Sequence, residues 1–136
     1  MTKDEVFDII SDAGYAILGT VEGDQPKVRP MAPYLHENQL LTALVPNART
    51  ISQIKKNPNV EACFVDRKMC FCRVSGKGKI SNDLNKKQIL WDNVPNLRQY
   101  FSEPADPNFT LLEIDITNVE AMNPYQTEPE KIKLFN

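Results

Sequence analysis

Three prolines, Pro26, Pro30 and Pro33, fall inside a single extended run of this chain and limit how that run can pair. Proline donates no backbone hydrogen bond, so within sheets it is confined to edges, strand starts and bulges. The run over 26–36 therefore reads as an irregular or partly unpaired strand. Before it lies 15–21, rich in strand formers, and Glu22-Gly23-Asp24-Gln25 makes the turn of a hairpin between the two.

The rest of the chain follows the same style. Thr2-Lys3-Asp4-Glu5 has the form of a capping box ahead of an amphipathic helix over 3–13, and Gly14 suits the left-handed residue that ends it. Strand patterns recur at 40–45, 60–66, 69–81 and 109–117, with Gly76 and Gly78 as bulge or bend positions in the long third one. Between them, Asn47 is placed to cap a helix over 48–56 with Ile51 and Ile54 as its apolar stripe. Asn82 or Asp83 is placed to cap a helix reaching Trp91, and 96–101 suits a short further helix. Strands in hairpin series with few intervening helices exclude a doubly wound parallel sheet. The pattern predicts a mainly β fold with peripheral helices, an antiparallel barrel that leaves few open edges. Residues 1–122 form the domain, and 123–136 read as a polar C-terminal tail with a small Ile132, Leu134 and Phe135 cluster.

With 136 residues, 41% of them hydrophobic and 25% charged, the chain fits one packed domain and not a disordered one. No apolar stretch is long enough for a membrane span, and the acidic N-terminus lacks a signal peptide's order, so a cytoplasmic protein is expected. Cys63, Cys70 and Cys72 are an odd number without a CxxC pair, and with His36 they offer no zinc spacing; reduced thiols and no metal are expected. A net charge of −2 argues against a nucleic-acid binder. That small sum hides an uneven distribution: residues 26–92 hold twelve of the sixteen Lys and Arg but five of the eighteen acids.

Familiar catalytic signatures are missing. There is no GxSxG elbow, GxGxxG or GxxxxGK[ST], and His36 reads as a surface turn residue. Gly76-Lys77-Gly78-Lys79 reads as a bulged strand with solvated lysines. The distinctive stretch is Lys27-Val28-Arg29-Pro30-Met31-Ala32-Pro33, followed by the strand at 40–45 and the helix start Asn47-Ala48-Arg49-Thr50. Two arginines and a helix N-terminus suit one phosphate group, and the proline-interrupted strand beside them offers a flat apolar surface to a ring system. The alternative is that Arg29 and Arg49 are ordinary surface charges. Trp91, Tyr100 and Phe101 read as core anchors, or else as an aromatic wall over a ligand.

The order Gly23-Asp24-Gln25-Pro26-Lys27-Val28-Arg29-Pro30-Met31, a strand at 40–45, and Arg49 through Asn57-Pro58-Asn59-Val60 resembles the pyridoxamine 5'-phosphate oxidase-related FMN-binding split-barrel superfamily. Arg73-Val74-Ser75-Gly76-Lys77-Gly78, Leu90-Trp91, Tyr100-Phe101, Asp106-Pro107 and Leu111-Leu112-Glu113-Ile114 are similar to its general stress protein branch. The resemblance implies a homodimer of split barrels with FMN between subunits. Carried over, it implies that Arg29 pairs with the phosphate, that Met31 and Ala32 lay backbone against the isoalloxazine, that Thr42 and Ala43 line the ring, and that Pro30 belongs to the same cofactor-binding set. Arg49 and Thr50 would add helix-side phosphate contacts; many relatives have Lys where Thr50 stands, so a hydroxyl replaces one cation here. The implied activity is hydride or electron transfer between a nicotinamide cofactor and a small-molecule acceptor, with no catalytic residue assigned. The competing reading is a non-catalytic carrier of flavin or of another anionic planar ligand such as heme or a deazaflavin.

Overall fold

The computed structural model describes residues 1–135. The chain runs α1 (Lys3–Ala13), β1 (Ala16–Glu22), β2 (Gln25–Met31), β3 (Tyr34–His36), β4 (Gln39–Leu44), α2 (Arg49–Lys56), β5 (Asn59–Val65), β6 (Phe71–Ser81), α3 (Leu84–Asn93), a 3-10 turn (Pro95–Gln99), β7 (Thr110–Met122) and β8 (Glu130–Lys131). All pairings are antiparallel, in the order β2-β1-β5-β6-β7-β4-β3, with β8 added to β7.

The two ends of that path are β2 and β3, which are consecutive in sequence and joined through Ala32 and Pro33 alone. The curled sheet is thus a split barrel: its seam is bridged by the covalent chain and not by a ladder. This explains the prolines. Pro26 and Pro30 do sit in a regular strand, paired with Val21 and Ile17, but that strand is an edge, where a missing N–H costs no pairing. The run over 26–36 is partly unpaired, as expected: it breaks at Ala32 and Pro33, and β2 pairs with β1 on one side and with nothing on the other.

Residues facing the barrel interior alternate along each strand: Ala16, Leu18 and Thr20 on β1, Val60, Ala62 and Phe64 on β5, Cys72 and Val74 on β6. Val6 and Ile9 of α1 and Ile54 of α2 join this core. A second cluster lies on the opposite face of β4 and β7, where Leu41 and Leu111 pack with Leu90 of α3, Leu97, Phe101 and Phe109. Burial on both faces accounts for the unbroken pairs Leu40-Leu41 and Leu111-Leu112. Phe101 stacks on Phe109 with ring centroids 4.9 Å apart, so Phe101 is a core anchor as one reading expected.

Helix starts differ in one respect from the sequence expectation. Thr2 and Glu5 form the capping box, and Asp83 caps α3 by accepting from the Lys86 amide. Asn47, however, adopts φ 63° in the preceding turn, and Ala48 occupies the cap position of α2 with no side-chain bond. An asparagine tolerates the left-handed region that this turn requires, and the turn claims it before the helix can. The buried face of α2 is Thr50, Gln53 and Ile54, not an Ile51 and Ile54 stripe. In β6 the register shifts between Ser75 and Gly76. A Cβ at Gly76 would lie 2.3 Å from the Asp115 carbonyl oxygen, so only glycine permits the strands to approach there. The last long strand also runs on to Met122. Beyond it, Glu130 pairs opposite Ala121 and accepts from the N-terminal ammonium at 2.8 Å, and Leu134 is buried.

Candidate functional site

Where β2 runs out at the seam, its last residues face β4 and the segment after α3 across a cleft of about 320 Å³. One wall is Arg29, Pro30, Met31 and Ala32; the floor is Thr42 to Val45; Leu97, Tyr100 and Phe101 close the far side. Six of the eight expected site residues, Arg29, Pro30, Met31, Ala32, Thr42 and Ala43, therefore share one surface although they come from opposite ends of the sheet. The β2 to β3 link at Ala32 and Pro33 brings them there. Arg49 and Thr50 are placed elsewhere in the chain as it stands: Arg49 lines a neighbouring groove with Ser52 and Lys55, and Thr50 is on the buried face of α2. Ala48, at the start of that helix, lies on the rim of both grooves.

Arg29 is the single charged residue lining the cleft among the described residues. Its Nη1 donates to the Leu18 carbonyl at 3.3 Å and its Nη2 to Gln53 Oε1 at 2.8 Å. The same amide oxygen accepts from Thr20 Oγ1 at 2.6 Å, while Gln53 Nε2 donates to Glu22 Oε2 at 2.8 Å. Burial lowers the Arg29 pKa from its ordinary value, and the hydrogen bond from Gln53 lowers that of Glu22. At ordinary pH the first is a full cation and the second a full anion. Two bonds occupy one N–H on each terminal nitrogen of Arg29, which leaves part of its donor fork for a ligand.

The rest of the chain carries little chemistry. His36 ends β3 at a turn, 3.9 Å from Glu37, as expected of a surface turn histidine. Burial pushes the Cys72 thiol up to about 12. Lys77 and Lys79 project from β6, as the bulged-strand reading anticipated. The basic middle segment is not one patch, because acids of the flanking segments meet its cations: Arg67 pairs with Asp12, Arg73 with Glu120, and Lys79 and Lys86 with Glu113. Gln53, Val94, Asn96 and Leu97 were not legible as site residues. For Gln53 the signal existed, since Thr50, Gln53 and Ile54 have the i, i+3, i+4 spacing of a helix face.

A seam-split antiparallel barrel with peripheral helices, and a largely apolar cleft lined by one arginine, places the chain in the class of split-barrel proteins. The pattern of the family described as pyridoxamine 5'-phosphate oxidase like matches residues 1–127, and the chain belongs to that family. It is 28% identical to General stress protein 26 of Bacillus subtilis (strain 168) over 97% of this chain and 96% of that one. The crystal structure of General stress protein 26 from Bacillus anthracis str. Sterne superposes with a TM-score of 0.80 at 27% identity, covering 97% and 98% of the two chains. A pyridoxamine 5'-phosphate oxidase-related, FMN binding protein from Nostoc punctiforme shares the fold, with a TM-score of 0.69 at 18% identity over 94% of this chain and 86% of that one.

Proposed function

We propose that this chain is an FMN-binding flavoprotein, and that it acts in the cytoplasm as an oxidoreductase passing hydride or electrons between a nicotinamide cofactor and a small-molecule acceptor. One observation carries the reading: the six residues Arg29, Pro30, Met31, Ala32, Thr42 and Ala43 line one cleft that holds a single cation and mostly apolar side chains. The donor set fits the group. Arg29 retains N–H donors for a phosphate oxygen, Pro30, Met31 and Ala32 offer a flat surface where the β2 ladder ends, and Thr42 adds a hydroxyl on the opposite side.

Bound flavin would supply the electron-transfer chemistry. The chain's part is to bind and orient. Arg29 neutralises the phosphate, Met31 and Ala32 fix the plane of the ring system, and Tyr100 and Phe101 limit access of water from the helical side. Arg49 and Thr50 belong to this site only through helix-side phosphate contacts made with the ligand present. We assign residues 1–122 as the flavin-binding unit and 123–136 as a C-terminal segment outside it.

The homodimer is supported by the outer face of β1, β2 and β5, where Tyr15, Ile17, Val28 and Val65 are exposed, Val28 to 70%. These four apolar side chains lie on one side of adjoining strands, a surface suited to a second copy. Pro30, opposite Ile17 on this face, also lines the cleft, so a partner here would lie beside it.

The carrier reading has its own support, since no carboxylate, histidine, lysine or thiol lines the cleft among the described residues. A deazaflavin would satisfy the same walls; heme is disfavoured because His36 does not line them. The test is titration with FMN, followed by visible absorbance and flavin fluorescence. Quenched fluorescence in the parent and its loss in Arg29→Ala are expected; saturating FMN without either change sinks the proposal. Catalysis is then separated from carriage by NADH or NADPH oxidation with the flavin bound.

A further inference from the structure

We infer that Gln53 is a positioning residue for Arg29, aiming the guanidinium at the cleft and keeping it from pairing with Glu22. The inference rests on the reading of the cleft as a site whose ligand ends in an anion. Gln53 is 5% exposed and reaches from α2 to the inner side of the β1–β2 hairpin. It meets the arginine at one end of its amide and the carboxylate at the other, each at 2.8 Å. Arg29, which can only donate, and the Glu22 carboxylate, which can only accept, fix the orientation, and the Thr20 hydroxyl donates to the same oxygen at 2.6 Å. Turning the amide over would set its N–H groups against the guanidinium and its oxygen against the carboxylate.

The glutamine amide accepts from the guanidinium and donates to the carboxylate at once, which neither an acidic nor an apolar side chain of that length can do. Glutamate at this position would neutralise Arg29 and repel Glu22. An apolar residue would leave the half-buried guanidinium of Arg29 short of a partner, and the Glu22 carboxylate, one bridging residue away, would capture it in an ion pair. Either change removes the cation from the ligand while leaving the cleft walls in place. Gln53 thus acts on the anionic end of the ligand and not on its ring.

The experiment uses the full chain and two probes, FMN and riboflavin, which share a ring system and differ in the phosphate. Dissociation constants are read from fluorescence quenching for the parent, Gln53→Glu, Gln53→Leu, the double variant Gln53→Leu/Glu22→Gln, and Arg29→Ala. Gln53→Glu is expected to weaken FMN by about tenfold or more, the scale of one charge-assisted contact, with riboflavin changed by less than about twofold. Gln53→Leu is expected to weaken FMN alone, and adding Glu22→Gln to restore most of the loss. Gln53→Met, which keeps the side-chain length, replaces Gln53→Leu if the latter does not fold.

Parent-like FMN binding in Gln53→Glu and Gln53→Leu overturns the inference, as does an equal loss of both ligands, the mark of a structural role. Failure of Glu22→Gln to restore binding overturns the shielding from Glu22. Failure of the underlying reading looks different: the parent and Arg29→Ala would then bind FMN and riboflavin alike. In that case a crystal structure of Gln53→Leu decides the inference without any ligand, and an Arg29 side chain still aimed at the cleft overturns it.

Discussion

The guanidinium of Arg29 and the amide of Gln53 are joined by a 2.8 Å bond across 24 residues of chain, from an edge strand to the buried face of a helix. Thr20 shares the acceptor, so one amide oxygen ties β1, β2 and α2 together. Replacing Gln53 with Ala leaves the buried Thr20 hydroxyl without its acceptor, and a buried unsatisfied donor costs about 1–3 kcal/mol. Urea unfolding of Gln53→Ala should show a loss of that order with an unchanged slope; an unchanged midpoint contradicts the network's role.

Phe109 is 1% exposed and stacks on Phe101, which in turn lines the cleft. Phe109→Ala should destabilise by roughly 3–5 kcal/mol, as large-to-small aromatic changes in cores do. A loss below about 1 kcal/mol in a denaturant titration would mean that the second cluster is not a true core.

Gly76 is required by space and not by backbone angle. Its absent Cβ would sit 2.3 Å from the Asp115 carbonyl oxygen and 2.7 Å from Ile114 Cγ2. Gly76→Ala should cost more than about 2 kcal/mol or lower soluble yield sharply, as backbone clashes do. A thermal midpoint equal to the parent's would refute the close approach of β6 and β7.

Glu113 is buried, which by itself would push its carboxyl up, yet hydrogen bonds from Lys86, Ser81 and Gln39 outweigh burial and hold it below the ordinary value of 4.5. A lowered folded value stabilises above the unfolded one, and that stability is lost as pH falls through the folded value. The parent's thermal midpoint should therefore drop below about pH 4.5, and Glu113→Gln should have a lower midpoint at neutral pH with a flatter acid limb. Parallel profiles for the two proteins would argue against the Lys86–Glu113 pair.

Cys72 is fully buried, and its thiol is pushed up to about 12. Native alkylation at mildly alkaline pH should leave Cys72 unmodified by mass spectrometry until denaturant is added, because the thiolate is the reacting species. Early labelling at Cys72 would show that the barrel opens readily.

Much of this fold could be read from the chain because its local signals agree with one another. Thr2 with Glu5, Asp83 before α3, and the glycine at the β6 bulge each stand where elementary stereochemistry puts them. Asn47 misleads because a turn and a cap favour the same residue type, and only the path of the chain decides between them. The strand at 110–122 outruns its sequence pattern because β8 and the bulge at Ser75 give its polar second half partners that are remote in sequence. In the site, β2 announced itself through Arg29 to Ala32. The helical side did not, since Val94 and Leu97 look like any residues that bury a short helix. Gln53 was hidden by its polarity, as a glutamine on a buried face makes sense only once Arg29 and Glu22 are known to flank it.

The link through Ala32 and Pro33 gives the barrel a mechanical character that a closed ladder lacks. A cylinder hydrogen-bonded all round resists any change of girth, whereas this one behaves as a cuff, held at its opening by a short strap with no rungs. Spreading the cuff breaks no strand pairing, so the two-residue strap, and no ladder, holds the edges of the gap together. Because the cleft lies along that opening, a ring system seated there would act as the missing rung, and its binding would be felt as stiffness around the whole barrel.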